Sequence, residues 1–391
     1  MMLKIYDTAS RSFQTFTPYD SNRVRLYCCG PTVYDDIHIG NARPVVVFDV
    51  LFRLLQILYP EVIYVRNITD IEDKIIARAQ ALGCDIGELC ARTTARFQSD
   101  CNALCCLPPV HEPRASNYIG QMIRLIQRLL DRGVAYEAEG HLLFSVADWP
   151  DYGRFARQSM DAMQAGARVE IAPYKRDALD FVLWKPSAPE LPGWDSPWGR
   201  GRPGWHIECS AMSHELLGGQ FDLHCGGQDL IFPHHQNEIA QSCAAWPGEG
   251  FAKYWMHNGY LLVDGRKMSK SLGNFHTVRE LLGKASGQAL RLSLLQTQYR
   301  QPLDFTVQRL GDATRLLGQL YDRCRPDFYG ADEYRSFSIE GDLLLAPLLN
   351  DLNTPLAVMN LTRTLRDKPL GKHDEDMQFR IARLCWVLGL L

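Results

Sequence analysis

The stretch "YCCGPTVYDDIHIGNARP", residues 27–44, joins two apolar segments of different character. Residues 24–29, which overlap its start, are rich in strand-forming side chains, and residues 41–59 have the apolar content and length of a helix. Residues 61–70 are strand-like again. Because strand, helix and strand in this order make the unit of a parallel sheet, the sequence predicts an α/β fold with this turn at the carboxyl edge of the sheet.

Changes of pattern divide the rest of the chain. Residues 71–83 predict a second helix, which Gly83 ends. Residues 96–204 contain helices and then a stretch rich in Pro, Trp and Gly, 185–204, which we interpret as a surface insertion. We find no internal repeat and no low-complexity segment.

Strand character returns at residues 221–227 and 254–263. After about residue 285 the pattern is helical, and residues 287–301 are included in that helical region. The sequence therefore predicts a parallel-sheet domain split by an insertion and followed by a helical bundle.

Composition sets the outer limits. The length of 391 residues favours two or three domains. The net charge is −3, so any nucleic-acid partner would have to bind a local basic surface. The start "MMLKIYDTAS" lacks the layout of a signal peptide, so we expect a cytoplasmic protein. The twelve cysteines are scattered, which favours free thiols and metal ligands over disulfides.

The turn at residues 38–41 has the residue types of a phosphate site. A turn from a parallel strand into a helix presents backbone N–H groups and the positive end of the helix. His38 can donate to a phosphate oxygen, Gly40 allows close backbone approach, and Asn41 offers a second neutral donor. A single His-x-Gly-Asn is nevertheless more often a structural turn.

A second motif, "DGRKMSKSLGN" at residues 264–274, places Lys267 and Lys270 with two serines in a short polar loop. Two ammonium groups suit a triphosphate whose charge builds as pyrophosphate leaves, although most Lys/Ser runs are exposed basic loops. Together, the two motifs resemble the HIGH and KMSKS signatures of class I aminoacyl-tRNA synthetases. No Walker-type motif competes with them.

A group of metal-binding side chains follows from spacing. His234 and Glu238 are four residues apart, so on a helix they share a face. With Cys29 and Cys209 they make a suitable zinc set, and His235 could replace His234. Each residue also has a structural interpretation, since unpaired cysteines are usually buried apolar groups and a His/Glu pair is often a helix surface.

The chain resembles the cysteine–tRNA ligase family from its N-terminus to about residue 370. The resemblance is carried by these motifs: "CCGPTVYDDIHIGNARP" (28–44), "NITDIEDKI" (67–75), "DYGRF" (151–155), "DFVLWKP" (180–186), "SPWGRGRPGWHIECSAM" (196–212), "GGQDLIFPHHQNEIAQS" (226–242), "KMSKSLGN" (267–274), "ALRLSLLQTQYRQPLDF" (289–305) and "DLNTPLAVMNL" (351–361).

The resemblance implies a function and its cofactors. We expect ATP with Mg²⁺ to activate L-cysteine as cysteinyl-adenylate, followed by transfer to the 3′ end of tRNA(Cys). One Zn²⁺ per chain would bind the substrate thiolate, and serine lacks the sulfur that the ion prefers, so no editing domain is needed. Four protein ligands normally make a closed site, so catalysis would require the coordination to expand or one ligand to loosen.

The same resemblance assigns the site residues. The catalytic residues would be His38, Asn41, Lys267 and Lys270. The ATP-binding residues would be His38, Gly40, Asn41, Gly227, Asp229 and Lys270. The cysteine-binding residues would be Gly30, Thr69 and Trp205, and the zinc ligands Cys29, Cys209, His234 and Glu238.

The resemblance also implies a domain organisation and a monomer. The predicted regions are the first half of a Rossmann-like catalytic domain (1–95), a connective insertion (96–204), the second half of the catalytic domain (205–260), the KMSKS loop and stem-contact region (261–285) and a tRNA-contacting helical bundle (286–391).

The chain departs from the family pattern in four places. Gln236 stands in the usual HHENE motif, Asn41 replaces a histidine, and Cys225 stands where glycine is common and could crowd the nucleotide. The family normally continues into a small anticodon-reading domain, whereas this chain stops at Leu391. Its apolar end, "LCWVLGLL", is unusual for a terminus, because the buried face of a helix would lose its cover.

Two alternative functions stay open at this point. Cysteine ligases of mycothiol synthesis share the catalytic fold and both ATP motifs, but they join cysteine to a sugar amine. A non-catalytic tRNA-binding paralogue would be expected to have lost His38, Lys270 or a zinc ligand, and all of these are present.

Overall fold

Four parallel strands form the central sheet of the protein. The structure is a computed structural model that describes residues 2–157, 172–268, 272–323, 331–336, 339, 341–367 and 375–390. Its strands are β1 (Lys4–Asp7), β2 (Ser12–Thr15), β3 (Arg23–Cys28), β4 (Glu61–Arg66), β5 (Ala135–Ala138), β6 (His141–Phe144), β7 (Phe181–Pro186), β8 (Gly201–Pro203), β9 (Phe221–Gly227), β10 (Ala252–Asn258), β11 (Leu261–Val263), β12 (Arg266–Lys267) and β13 (Leu303–Phe305). Its helices are α1 (Ile39–Leu58), α2 (Asp73–Leu82), α3 (Ile86–Ala103), α4 (Ile119–Asp131), α5 (Trp205–Leu217), α6 (Gln236–Ala245), α7 (Val278–Leu282), α8 (Gly287–Leu295), α9 (Val307–Arg323), α10 (Ala331–Ser336), α11 (Thr354–Asp367) and α12 (Glu375–Val387).

The central sheet has the order β10-β9-β3-β4, and all of its pairs are parallel. The chain leaves β3 toward β4 on one side and leaves β9 toward β10 on the other, so β3 and β9 flank the point where the strand order reverses. In open α/β sheets, ligands bind at the carboxyl edge of that point. The predicted α/β fold with a parallel sheet is confirmed, and the fold places a site beyond Cys28 and Gly227.

The insertion contains a four-stranded antiparallel sheet, β5-β6-β7-β8, that the sequence pattern does not predict. The stretch that we interpret as a surface insertion contributes to this sheet through β8 and the end of β7. Trp184 is buried there, and a Cβ built on Gly201 would lie 2.3 Å from its Nε1. The Pro/Trp/Gly-rich composition therefore reflects close packing of short strands as well as loops.

The helical prediction for residues 287–301 is wrong beyond Leu295, where α8 ends. The segment after α8 is held in a non-helical conformation by Arg43 of α1, which is buried. The Arg43 guanidinium donates to the carbonyl oxygens of Gln298 and Gln301 at 3.3 and 2.7 Å. Pro302 also disfavours a helical conformation at the residue before it. Residues 303–305 instead form β13, which pairs in parallel with β11.

A buried ion cluster ties α1 to the C-terminal end of the chain. Asp49 accepts hydrogen bonds from Arg53 at 2.8 Å and from Arg291 at 2.5 Å, and Arg291 Nε donates to the carbonyl oxygen of Leu388 at 2.5 Å. Leu388 and Leu390 are buried in the same core as α1. The expectation that the apolar end lacks cover is therefore wrong, because the chain itself supplies it.

Among the described residues, no helix has the length and apolar content needed to span a membrane.

Candidate active site and metal centre

The predicted metal ligands come from three segments that meet at the reversal point of the sheet. Cys29 follows β3, and its backbone N–H donates to the carbonyl oxygen of Cys225 in β9 at 3.2 Å. Helix α5 supplies Cys209, and the turn before α6 together with α6 supplies His234 and Glu238. Cys209, His234 and Glu238 are buried, whereas Cys29 is half-buried and gives the cluster its accessible side.

The ligand atoms of these four residues all lie within 4.8 Å of one another. The two sulfur atoms are 3.8 Å apart, Cys29 Sγ lies 3.5 Å from Glu238 Oε1, and His234 Nε2 lies 2.9 Å from the same oxygen. Two thiols, one imidazole and one carboxylate that converge in this way match the donor types and number of a zinc site. The residues present therefore fit the metal that the resemblance implies.

A second set of four donors shares Cys29 and Glu238 but uses His224 and His235. His224 Nε2 lies 2.8 Å from Glu238 Oε2, and His235 Nε2 lies 3.4 Å from Cys29 Sγ. The spacing of the sequence predicts His235 as an alternative ligand but does not predict His224, which is fully buried in β9. A histidine inside an otherwise apolar strand, "FDLHCGG", is the signal that could have revealed it.

Outer contacts fix the imidazoles of both sets. His206 Nδ1 and His234 Nδ1 are 3.0 Å apart, and His235 Nδ1 lies 2.8 Å from His257 Nε2. Trp205 stacks on His234 with a centroid separation of 4.2 Å and an interplanar angle of 28°. Such partners orient histidine ligands, because a hydrogen bond on one ring nitrogen decides the role of the other.

The cluster is electrostatically prepared for a cation. Burial raises the pKa of Glu238, but His224 and His234 outweigh burial and hold it well below its ordinary value. The hydrogen bond with Cys29 lowers the pKa of Cys209 to about 6 against the effect of burial. Burial raises the pKa of Cys29 well above its ordinary value. The cluster thus favours one carboxylate and one thiolate, and a divalent cation would stabilise both negative groups.

The predicted cysteine-binding residues surround this cluster. Trp205 is 38% exposed, so its ring is not part of the buried hydrophobic core. Thr69 is buried, and its hydroxyl donates to Glu208 at 3.0 Å. Gly30 is required by packing, since a Cβ on it would lie 1.6 Å from the carbonyl oxygen of Asn67. The structure therefore brings all three residues next to the metal ligands.

The backbone N–H groups expected to be free at the start of α1 all have partners. The amide of Ile39 donates to the carbonyl oxygen of His276 at 3.0 Å, and the amides of Gly40 and Asn41 donate to His38 Nδ1 at 3.1 and 3.2 Å. The prediction of open amides is therefore wrong, because His38 acts as the N-cap of the helix. Since Nδ1 accepts, the ring proton lies on Nε2, from which His38 can donate to a phosphate.

The histidine turn contacts the segment that directly follows the lysine motif. His38 pairs with Thr277 in an antiparallel bridge, and its ring lies 5.0 Å from that of Phe275. Lys267 is exposed at the end of β12, and Asn41 is exposed on the first turn of α1. The predicted Lys270 lies outside the described residues. The contact joins the histidine turn to the segment that follows the lysine loop.

Two of the predicted ATP-binding residues, Gly227 and Asp229, lie at the end of β9 and just after it. Gly227 ends that strand and is half-buried, and Asp229 is exposed. Cys225 is fully buried in the hydrophobic core, where it lies opposite Cys28 in the sheet register. The interpretation that Cys225 crowds the nucleotide is therefore wrong, because its side chain packs in the core.

A Gly40→Ala substitution is expected to reduce ATP–pyrophosphate exchange by about 10- to 100-fold, since small displacements of catalytic groups have effects of that size. A Cβ there would lie 2.8 Å from Met268 Cε and 2.9 Å from His38 Cε1, so the His38 ring must move. Gly318→Ala in α9 is the matched control, because no atom of the described residues lies within 4 Å of a Cβ built at this position. Normal exchange in Gly40→Ala would contradict the assigned role of the turn.

Comparison with known proteins identifies the fold and the family of the chain. A solved structure of methionyl-tRNA synthetase from Mycobacterium tuberculosis, in complex with methionyl-adenylate, superposes with a TM-score of 0.65 at 16% identity, covering 94% of this chain and 89% of that one. The model of the family described as "tRNA synthetases class I (C) catalytic domain" matches residues 15–315. The fold and the matched family define a class I tRNA synthetase.

Curated relatives narrow the class. A cysteine–tRNA ligase from Rhodospirillum rubrum is 60% identical over 92% of this chain and 77% of its own length. A cysteine–tRNA ligase from Paramagnetospirillum magneticum is 57% identical over 92% of this chain and 78% of its own length. Another, from Gluconobacter oxydans, is 53% identical over 100% of this chain and 84% of its own length. The chain belongs to the cysteine–tRNA ligase family.

Proposed function

We propose that the protein activates L-cysteine with ATP, forming cysteinyl-adenylate and pyrophosphate, and transfers the cysteinyl group to the 3′ end of tRNA(Cys). The observation that carries this proposal is the convergence of Cys29, Cys209, His234 and Glu238 at the carboxyl edge of β3 and β9. Family membership supports the use of ATP, Mg²⁺, an amino acid and tRNA. The monomeric state and cytoplasmic location expected from the sequence stay predictions.

We assign one zinc ion to these four residues in preference to the set with His224 and His235. Cys209 offers a second sulfur, which a borderline-soft cation prefers to a further imidazole. When bound, zinc would select the thiolate of cysteine over the hydroxyl of serine. His224 then serves as the outer partner that holds Glu238 in place, at 2.8 Å from its Oε2.

The residues around the metal site bind and orient the amino acid. Trp205 stacks on the metal ligand His234 and is partly exposed, so its ring offers an apolar face beside the metal site. Thr69 is fixed to the turn after β3, because its backbone N–H donates to the carbonyl oxygen of Pro31 at 3.1 Å. This rigid shell would hold the substrate in one orientation, which lowers the entropic cost of the reaction.

The nucleotide motifs then stabilise the charge that develops on the phosphates. A carboxylate oxygen of cysteine attacks the α-phosphorus of Mg-ATP, and the bond to pyrophosphate breaks. The Nε2 proton of His38, the side-chain NH₂ group of Asn41 and the ammonium groups of Lys267 and Lys270 would donate to the phosphate oxygens. A terminal ribose hydroxyl of tRNA next attacks the carbonyl carbon, and AMP leaves.

Labelled cysteine and ATP, incubated with the protein and either total tRNA or glucosaminyl-inositol, test this proposal. We expect the label in tRNA and not in the sugar amine. Labelling of glucosaminyl-inositol instead would assign the protein to the sugar-amine class of cysteine ligases. Absence of both products, together with absence of cysteine-dependent pyrophosphate exchange, would overturn the enzymatic assignment.

A further inference from the structure

A chain of hydrogen bonds beside the metal ligands has a fixed direction. It begins at the backbone N–H of Gly30, which can only donate, and which donates to Asn67 Oδ1 at 2.8 Å. The oxygen of the Asn67 amide must therefore face Gly30, and its NH₂ group faces Thr69 Oγ1 at 3.1 Å. Since Thr69 accepts from Asn67, the proton of its own hydroxyl is directed to Glu208 Oε2 at 3.0 Å.

This series of hydrogen bonds ends at Glu208, for which the sequence pattern predicts no role. Glu208 is fully buried, and it precedes the metal ligand Cys209 on α5. Its Oε2 accepts from Thr69, while its Oε1 has no hydrogen-bond partner among the described residues. Burying a carboxyl group is costly, so one that is retained here and bonded to a pocket residue calls for an explanation.

These hydrogen bonds also lie next to the predicted metal ligands. We call the series of hydrogen bonds from Gly30 to Glu208 the relay. Cys209 Sγ is 3.7 Å from Asn67 Oδ1, so the relay passes next to one of the two sulfur ligands. In cysteine, the sulfur atom and the α-nitrogen are separated by only two carbon atoms. A substrate whose sulfur is held at the metal site would consequently bring its ammonium group within reach of the neighbouring polar groups of the relay.

We propose that Glu208 is a positioning residue of the cysteine pocket, which holds the hydroxyl proton of Thr69 so that Thr69 presents only an acceptor lone pair to the α-ammonium group of the substrate. A threonine oxygen has two lone pairs, and Asn67 uses one of them. The remaining lone pair accepts an N–H donor and cannot donate. The inference rests on the proposed function, because it names the part of the substrate that this side of the pocket selects.

The test compares cysteine with 3-mercaptopropionate, which keeps the thiol and the carboxylate but lacks the amino group. In Glu208→Met, we expect the KM for cysteine in pyrophosphate exchange to rise by about 10- to 100-fold, as for the loss of a hydrogen bond to a charged group. We expect kcat to change by less than about threefold and the inhibition constant of 3-mercaptopropionate to stay unchanged. Zinc content per chain, measured in parallel, reports whether Cys209 is disturbed.

Two further variants separate the relay from simple packing. Glu208→Gln keeps an acceptor oxygen and is expected to restore most of the affinity that Glu208→Met loses. In a Thr69→Val background, Glu208→Met is expected to change the KM by less than about twofold, because the group through which it acts is already absent. Should Glu208→Met fail to fold, the comparison of Thr69→Ser with Thr69→Val carries the test, and only Thr69→Val is expected to lose affinity for cysteine.

Several outcomes would overturn the relay. They are an unchanged KM in Glu208→Met, an equal rise in Glu208→Gln and Glu208→Met, a parallel loss of 3-mercaptopropionate binding, and equal behaviour of Thr69→Ser and Thr69→Val. An unmodified protein without cysteine-dependent exchange would instead overturn the proposed function. The two failures are therefore distinguishable.

Discussion

A Cys209→Ser variant is expected to lose its bound zinc and about 10⁴-fold of its cysteine-dependent ATP–pyrophosphate exchange, as expected when a site loses the contact on which its selectivity depends. The serine hydroxyl stays protonated at neutral pH and is a poor ligand for a borderline-soft cation. Cys29, His234 and Glu238 remain in place, within 4.8 Å of one another. Metal content measured by mass spectrometry and exchange kinetics with cysteine and with serine check the result.

Cys84→Ser is the matched control for this variant. Cys84 is half-buried and has a free thiol, and it belongs to neither of the two metal-binding groups found among the described residues. We expect its zinc content and its exchange rate to equal those of the unmodified protein. Full zinc content and normal exchange in Cys209→Ser, or equal exchange with serine and cysteine in the unmodified protein, would refute the role of the metal.

Arg291→Met is expected to lower the free energy of unfolding by about 3–5 kcal/mol, the usual cost of breaking a buried ion pair. Arg291 is fully buried and donates to Asp49 and to the carbonyl oxygens of Leu388 and Leu104, so its loss leaves several buried acceptors short of donors. Urea unfolding followed by tryptophan fluorescence measures the change.

Arg315→Met provides the comparison on the surface. Arg315 pairs with Asp312 on α9, and the side chains of the two residues are 71% and 46% exposed. An exposed pair of this kind contributes about 0–1 kcal/mol. If Arg291→Met were no more destabilising than Arg315→Met, the ion cluster would not be what holds the C-terminal end against α1.

The fold was predictable where strands and helices are long and consistently apolar. The segment 221–227 is a strand with the bounds that the sequence predicts, and α1 differs from its prediction by one or two residues at each end. The insertion sheet escaped prediction because β5, β6 and β8 have only three or four residues each, too few to show alternation. The end of α8 depends on Arg43, a distant residue that no local pattern reveals.

The site was predictable to the extent that it depends on residue types at fixed spacing. Cys209 and the His234/Glu238 pair could be named as candidate metal ligands from the sequence, because residue type and spacing alone indicate metal binding. The roles of His224 and Glu208 could not, because they arise from contacts between strands and helices far apart in the chain. The partners of the α1 amides were likewise hidden, as His38 and His276 satisfy them only in the folded protein.

The bridge between His38 and Thr277 has a thermodynamic consequence. Val278 also donates to the carbonyl oxygen of Ile37 at 2.9 Å, so the segment that follows the lysine loop and the cap of α1 form one short two-stranded clasp. Two ligands that both strengthen this clasp, one bound at the histidine turn and one at the lysine loop, each raise the affinity of the other. The two affinities rise by the same factor. The factor by which an engaged clasp raises the affinity for a triphosphate therefore equals the factor by which a bound triphosphate favours the engaged clasp.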